Sequence, residues 1–328
     1  MSSPAQQQDL PGMSPDIEKA RERISRYSDQ KRRHETKLNA TLDASLQWLP
    51  NGGKEALASD ILNATTVHKL HEIFFNILTI LAWPAILQSE ASQVRTPQEQ
   101  LSPLGNYQQG TQEDCLKRDG SCCVVTGAMD VETYSEKGRP EGFESTHVQV
   151  AHIMPYFISY WNKSAMTTVW ETICRYFPAI HQARMGAGGI NALVNSLSNS
   201  FLLDFSFNLV FSRFALAFKA TIKQDRPNIY KTVRFSGFPT SLLIGFPNEI
   251  ELKPVAAPGS EHLELPSKNL LDCHYRLAQI LNACGDKMAF LPGKYRDHWE
   301  YHIRWNVQAM LDGDADLSGY LETALWWA

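Results

Sequence analysis

The pattern of apolar residues changes near residue 115, and this change limits what the chain can fold into. Between 16 and 87, apolar side chains recur every three or four residues, as they do in amphipathic helices. From 115 to 153 this period is lost, and short runs rich in valine alternate with polar turns that contain glycine. Helical patterns return towards the end of the chain. We therefore expect an α+β fold, a mostly helical single domain with a small strand-containing unit embedded in it.

The N-terminal part predicts two helical regions. Residues 16–49 and 54–87 carry the helical period, and Pro50–Gly53 between them contains strong helix breakers. Residues 1–15 are polar and without period, which is typical of a disordered tail. Residues 88–113 are rich in Gln, Ser and Pro, and we interpret them as a linker. The predicted regions are a tail (1–15), a helical region with its linker (16–113) and a core (114–328), the last two packed as one globular domain.

The rest of the chain predicts two short strands and several helices. Cys123–Val125 and Val148–Val150 have the composition of short strands, separated by a turn-rich insertion. Residues 201–220 are strongly apolar and aromatic, and a strand-like alternation follows over 231–246. Helices are expected at 165–177, 268–284 and 295–311.

Composition excludes several classes of protein. The chain has 328 residues, of which 43% are hydrophobic and 20% charged, and it contains six cysteines. These values exclude collagen-like, disulfide-scaffold and wholly disordered chains. The formal net charge of −4 argues against a phosphate backbone as the main partner, although a local basic groove is compatible with it. Sparse cysteines without C-x-x-C spacing predict a reduced intracellular, cytoplasmic setting.

No targeting segment or membrane span is expected. The polar N-terminus lacks the apolar stretch of a secretory signal. The most apolar segment, Ile73–Leu87, is interrupted by Asn76, Thr79 and Pro84. It is shorter than the roughly 20 apolar residues that a bilayer requires.

Several motifs between residues 118 and 218 together carry a resemblance to a known family. Arg118–Gly127 has the sequence RDGSCCVVTG, and Val150–Pro155 has the sequence VAHIMP. With the later Asn199 and the segment Asn208–Leu216 (NLVFSRFAL), they resemble the fungal type of HNH endonuclease domain. That family has a C-V-V-T-G segment, an A-H-I-x-P motif, a later Asn and a helix with the pattern His-x-x-Phe-Asp. The likeness extends loosely from about residue 40 to the C-terminus, and its first two motifs are the most specific.

The resemblance implies a ββα unit around one divalent metal ion. In that family the first His is a general base that activates water, the middle Asn orients the segment, and a His on the helix binds the metal. Matched residue by residue, His152 takes the place of the base and Asn199 that of the orienting Asn. Asn208 stands where the metal-binding His is expected, and Ala151 stands where many HNH nucleases have a further ligand.

The implied metal site is degraded, because it offers no carboxylate at the matching positions. Mg²⁺ and Mn²⁺ sites normally include one or two carboxylates. Asn208 can provide a neutral oxygen, and Asp204 is the nearby acid that could complete the site of a nuclease. We therefore expect no metal cofactor, with Mg²⁺ or Mn²⁺ as the alternative.

A long insertion between His152 and Asn199 is rich in aromatic residues. Such side chains can pack the insertion onto the core, or they can form the wall of a pocket for an apolar small molecule. The second interpretation makes them substrate-binding. The candidate substrate-binding residues are Tyr156, Tyr160, Trp161, Trp170 and Phe211.

Two catalytic functions are compatible with these features. The first is a repurposed HNH-fold enzyme of fungal secondary metabolism that cyclises an apolar intermediate without metal, for example by a pericyclic, Diels–Alder-like reaction. Such a reaction needs a shaped cavity and one or two hydrogen-bond donors, for which His152, Asn199 and Asn208 are the candidate catalytic residues. The alternative is a metal-dependent HNN-type endonuclease that hydrolyses DNA with His152 as general base. A third possibility is a binding module that retains only the fold.

Overall fold

In its described residues the structure, a computed structural model, combines helices with three small β-sheets, so the predicted α+β class is confirmed. The residues described are 14–28, 30, 35–77, 103–154, 171–184, 189–221, 228–255 and 260–284. The helices are α1 (Pro15–Ser25), α2 (Leu38–Trp48), α3 (Gly53–Asn63), α4 (Pro103–Asp119), α5 (Val131–Glu136), α6 (Pro178–Arg184), α7 (Gly189–Val194), α8 (Phe205–Ser212) and α9 (Lys268–Ala283). The strands are β1 (Met129–Asp130), β2 (Ser145–Thr146), β3 (Val148–His152), β4 (Ser200–Asp204), β5 (Leu216–Ala220), β6 (Ile229–Arg234) and β7 (Glu249–Glu251).

The first helical region is divided into two helices. In α1, Ile17, Ala20 and Ile24 are buried, as their spacing predicts, and α1 packs on both α2 and α3. The prediction of continuous helix over 16–49 is wrong, because α1 ends at Ser25. Beyond it, the Tyr27 hydroxyl donates a hydrogen bond to the Glu35 carboxylate, which joins the two ends of the connection.

The break at Pro50–Gly53 is confirmed, and it brings the chain close to a distant segment. Gly52 has a φ of 84°, which suits glycine. At Gly53 a Cβ atom would lie 2.0 Å from the carbonyl oxygen of Tyr176, so no larger residue fits there. The predicted second helical region continues as α3 and, after a break, as helical residues 67–77. Its predicted end at Pro84 lies outside the described residues.

Helix α4 occupies part of the segment that the sequence predicts to be a linker. The linker prediction is therefore wrong over 103–113, while 88–102 lies outside the described residues. The pattern misses this helix because its first turns are polar and contain two glycines. Its last turn is held by tertiary contacts instead, with Cys115 and Arg118 fully buried and Asp119 nearly so.

Cys123–Val125 forms a turn, so the prediction of a strand there is wrong. The Gly127 N–H donates to the Cys123 carbonyl at 2.8 Å, and the Cys123 N–H donates to the Ala128 carbonyl at 2.9 Å. Gly127 has a φ of 74°, which this turn requires. The Val124 N–H donates to Leu202 on β4, so the turn packs against the edge of that strand. Local hydrogen bonding thus overrides the β preference of the two valines.

The predicted strand at 148–150 is confirmed as part of β3, which pairs antiparallel with β4. The register places Val148 opposite Asp204 and His152 opposite Ser200. Helix α8 begins directly after β4 and packs on both strands. The described chain therefore contains a strand–strand–helix unit in which the two strands are separated by a long insertion.

The aromatic stretch over 201–220 forms the centre of the core. The rings of Phe201, Phe211 and Phe218 are all fully buried and lie within 5.2 to 5.8 Å of one another. Strands β5, β6 and β7 form an antiparallel sheet, and α9 packs on β5. The predicted alternation over 231–246 persists only to Arg234, after which the chain forms a loop.

The predicted C-terminal helix at 268–284 is confirmed as α9, which begins with a Ser267 cap. The helix predicted at 165–177 is seen over 171–176, while 165–170 lies outside the described residues. The helix predicted at 295–311 and residues 1–13 of the predicted tail also lie outside them. Within the ranges that are described, no helix is long and apolar enough to cross a bilayer.

The buried guanidinium of Arg118 connects four segments of the chain. It pairs with Asp119, with Nε 2.7 Å and Nη2 2.9 Å from the two carboxylate oxygens. Nη1 donates to the carbonyls of Leu197 and Glu264, each at 2.9 Å, and Nη2 donates to the Ser200 carbonyl at 2.7 Å. A buried charge is tolerated only where such partners satisfy it.

We expect Arg118→Met to destabilise the protein by about 3 to 5 kcal/mol, because it leaves the Asp119 carboxylate and three carbonyls without their donor. Urea unfolding of both proteins measures this difference. The matched control is Arg175→Met, which removes an arginine with a half-exposed side chain from its ion pair with Asp60. That change should cost less than about 1 kcal/mol. Equal losses in the two variants would contradict the role assigned to Arg118.

Candidate functional site

His152 is the last residue of β3 and is nearly buried, with 9% of its surface exposed. Its cross-strand neighbour is Ser200. The Cys115 thiol on α4 donates a hydrogen bond to the Ser200 hydroxyl at 3.5 Å. Cross-strand partners share a face of a sheet, so His152 lies on the face of the β3–β4 pair that is turned towards α4.

The thiol of Cys115, which donates to the Ser200 hydroxyl, is not a nucleophile. It is completely buried, and this burial raises the pKa of its thiol to about 11. At neutral pH the group is therefore protonated, whereas the thiolate is the reactive form of cysteine. Cys115 serves instead as a donor within the buried polar cluster around Arg118. Sequence reasoning did not assign a role to Cys115 or Ser200, and neither stands in a recognisable motif.

Asn199 connects the residues that follow β3 with those that precede β4 through hydrogen bonds of its side chain. Its side-chain oxygen accepts from the Met154 N–H at 2.7 Å, and its amide donates to the carbonyls of Met154 at 2.8 Å and Val194 at 2.7 Å. The backbone adds a bond from the Ile153 N–H to the Asn199 carbonyl at 2.8 Å. The fully buried Asn199 thus fixes the residues that follow His152, which is a positioning role. Its predicted role in catalysis stays a prediction.

Asn208 lies on α8 and is also buried, with 4% of its surface exposed. Its amide nitrogen lies 3.1 Å from the side-chain oxygen of Gln149 on β3. Its side-chain oxygen is buried without a hydrogen-bond partner. The sequence motifs do not predict the contact between Asn208 and Gln149. The one signal for it is the position of Gln149, three residues before the predicted base, His152.

The β3–β4 pair separates His152 from Asn208. Successive side chains on a strand point to opposite faces, so Gln149 and Ala151 share one face while His152 lies on the other. Asn208 contacts Gln149 and therefore lies on the α8 side, whereas His152 lies on the α4 side. The structure thus brings Asn199 next to the residues after His152, but it does not bring His152 and Asn208 together.

Asp204 is engaged as the N-terminal cap of α8. One carboxylate oxygen accepts from the Ser206 N–H at 2.8 Å, and the other accepts from the Thr146 hydroxyl. Asp204 lies opposite Val148, at the other end of the β3–β4 pair from His152. Four residues of strand correspond to roughly 13 Å, so this carboxylate does not face the site of His152.

The donors at the predicted metal site do not suit Mg²⁺ or Mn²⁺. The unpartnered oxygen of Asn208 could act as a neutral ligand, but Ala151 offers none and Asp204 is engaged at its cap. These cations need carboxylate oxygen ligands in most protein sites. In the described part of the chain, no group of three or more His, Cys, Asp or Glu side chains is placed to hold a metal.

Of the predicted substrate-binding residues, only Phe211 lies among those described. Its ring is fully buried and stacks on the imidazole of His274 at a centroid distance of 3.8 Å. Phe201 and Phe218 cover it further. The structure therefore places Phe211 in the core and not at the wall of an open pocket. The other candidates, which lie outside the described residues, are Tyr156, Tyr160, Trp161 and Trp170.

Comparisons with known proteins add no relative: no protein-family model, no curated protein and no solved structure matches the chain. The resemblance to HNH nucleases therefore stays a hypothesis that rests on the sequence motifs.

We expect Asn199→Ala to reduce the free energy of unfolding by about 2 to 4 kcal/mol, because it leaves three buried backbone groups without a partner. Asn199→Asp preserves the shape but places an oxygen beside the carbonyls of Met154 and Val194. The pKa of this introduced carboxyl should rise on folding, so the penalty should be largest at neutral pH and shrink as the pH falls.

Urea unfolding at neutral and mildly acidic pH tests this prediction. The control is Asn63→Asp, since Asn63 is exposed at the end of α3. A deficit in Asn199→Asp that stays constant as the pH is lowered would contradict the placement of its amide between the two carbonyls.

Proposed function

We propose that the chain is an enzyme that binds an apolar small-molecule intermediate beside His152 and promotes its cyclisation without a divalent metal. The observation that carries the proposal is the surroundings of Asn208, which lies on α8 where the HNH family has its metal-binding His. This side chain is buried against Gln149, and the nearest acid, Asp204, caps the same helix. A ββα unit with these donors lacks the anionic ligands of a phosphodiesterase site.

The order of the elements supports an origin from an HNH-type scaffold. A histidine ends the first strand, an asparagine precedes the second strand, and a helix follows directly. The same order of elements supports the family hypothesis, which the comparisons leave open. We infer that this scaffold is retained while the chemistry has changed, with a place in fungal secondary metabolism.

Of the three candidate hydrogen-bond donors, we assign His152 to the substrate, because it takes the place of the general base in the match to the HNH family. Asn199 uses both N–H groups of its amide on backbone carbonyls. Asn208 donates to Gln149 on the opposite face of the β3–β4 pair. His152 ends its strand just before the aromatic run that begins at Tyr156, and that run supplies apolar groups suited to enclosing an apolar substrate.

A cyclisation fits these residues because it requires little acid–base chemistry. Holding the two reacting ends of one molecule in contact supplies most of the rate enhancement, and one donor can polarise a carbonyl on the substrate.

All six cysteines lie in the described ranges and none forms a disulfide. This supports the further inference that the protein works in a reducing cytoplasmic setting.

We expect His152→Ala to lower product formation by about 10²-fold or more, in line with the loss of one positioned donor. A cyclisation is an isomerisation, so the compound that accumulates should have the same mass as the missing product. Chromatography with mass spectrometry, on extracts of the organism carrying each variant, measures both. The control is His147→Ala, an exposed histidine just before β3. Unchanged metabolites in His152→Ala, or an accumulated compound of different mass, would contradict the proposal.

A metal-dependent endonuclease is the second candidate, and the unpartnered oxygen of Asn208 is the observation that favours it. If the first proposal holds, the purified protein should bind Mn²⁺ no more tightly than Asn208→Ala in calorimetry. It should also leave supercoiled plasmid intact in Mg²⁺ or Mn²⁺. Asn208→His should not create measurable binding by itself, because Ala151 offers no ligand and Asp204 is engaged as the cap of α8. Plasmid nicking by the wild-type protein that His152→Ala abolishes would establish the nuclease instead.

A further inference from the structure

We propose that the loop between β6 and β7, residues 235–248, docks the protein onto the surface of a lipid bilayer. The loop contains no charged residue, although a fifth of the whole chain is charged. It includes three consecutive aliphatic residues, Leu242–Ile244, bounded by Pro239 and Pro247. The inference is independent of the proposed function.

The aliphatic residues of the loop become progressively more exposed. Leu242 is half-buried against the core, Leu243 is 40% exposed and Ile244 is 92% exposed. Among the large apolar side chains that the structure describes as exposed, the next highest value is 45%, at Phe143. Because this isoleucine stands next to the exposed Leu243 in an uncharged loop, the two form a small contiguous apolar patch, and such a patch is suited to a binding event.

The loop is held in a defined conformation. The Thr232 N–H donates to the Asn248 carbonyl at 2.9 Å, and the Thr232 hydroxyl donates to the Pro247 carbonyl at 2.6 Å. Beneath the tip, the ring of Phe246 lies 5.7 Å from Phe207 on α8 and 5.1 Å from Phe238. Binding therefore requires little ordering of the loop, which reduces its entropic cost.

The size of the exposed tip favours a bilayer over a protein partner. A stable protein interface buries roughly 800 Å² on each side and involves 20 to 30 residues. Here the exposed apolar tip consists of two neighbouring side chains, Leu243 and Ile244. The other exposed large apolar side chains are distributed over α3, the connection before β2 and the start of α8. A bilayer requires no complementary shape, so a short apolar protrusion can insert into it and give weak, reversible binding.

Two opposite charges flank the loop, Arg234 at its start and Glu249 at its end, and both residues are exposed. The guanidinium of Arg234 lies 5.8 Å from the centroid of the Phe246 ring, and Arg234 is exposed. An apolar tip above aromatic rings and a cation is the arrangement that interfacial anchors use, with the cation near phosphate. Because Glu249 offsets the charge of Arg234 and the net charge of the chain is −4, the apolar tip must supply most of the binding energy.

Flotation of the full-length protein with phosphatidylcholine vesicles, with and without phosphatidylserine, tests the proposal. We expect wild type to float with vesicles, and Leu243→Ser/Ile244→Ser to reduce the partition coefficient by about tenfold or more, since two apolar side chains no longer enter the bilayer. Phe143→Ser is the matched control, with an exposed apolar residue in a different loop, and it should float like wild type. Phosphatidylserine should add little to the binding, since the exposed Glu249 offsets the charge of Arg234.

Circular dichroism of each variant verifies that it is folded, and light scattering without vesicles reports its oligomeric state. The proposal is overturned if wild type does not float, or if the double variant floats as well as wild type. It is also overturned if the double substitution converts an oligomer to a monomer, because the tip would then be a protein contact.

Discussion

The buried guanidinium of Arg118 is the interaction on which the rest of the strand-containing unit depends. Six hydrogen bonds from one side chain, one of them to the sulfur of Cys115, connect the end of α4, the turn before β4, the first residue of β4 and a distant loop. The paired Asp119 carboxylate accepts in turn from the Leu202 N–H at 2.9 Å. Because a buried charge without these partners is strongly unfavourable, the chain can form this unit only when all four segments are present.

This arrangement places two different environments on the two faces of one strand pair. The face towards α4 contains His152, Ser200 and a protonated thiol, whereas the face towards α8 contains a pair of side-chain amides and packed phenylalanines. A phosphodiesterase would need its base and its metal ligands around one phosphate. Here the predicted base, His152, and the predicted ligand, Asn208, lie on opposite sides of β3, an arrangement that does not suit a phosphodiesterase site using both.

The sequence predicts those parts of the fold whose pattern is strong by itself. Helices α1 and α9 carry a clear apolar period, the strand at Val148–Val150 is β-branched, and Pro50–Gly53 ends a helix, and all are found. Helix α4 was missed because its first turns are polar, and its stability comes from the buried contacts of its last turn. The turn at Cys123–Val125 was missed because hydrogen bonds to Gly127 and Ala128 outweigh the β preference of valine.

The sequence predicts which residues form the candidate site, but it does not predict how they are arranged in space. Spacing indicated His152, Asn199 and Asn208, but it could not show which face of β3 the helix covers. That choice depends on Phe211 of α8, which packs on Phe201 and so helps to determine where Asn208 points. The capping role of Asp204 follows from its position before a helix start, although proximity along the chain had suggested a ligand.

The contact between α2 and α9 has a consequence for synthesis of the protein. Arg276 donates to the carbonyl of Trp48 at 2.8 Å, across 228 positions of chain. At ribosomal speeds the interval between the emergence of these residues is roughly 10 to 45 seconds. During that time the face of α2 that α9 later covers is open to water and to other nascent chains. This part of α2 can therefore reach its final packing only after α9 has been synthesised.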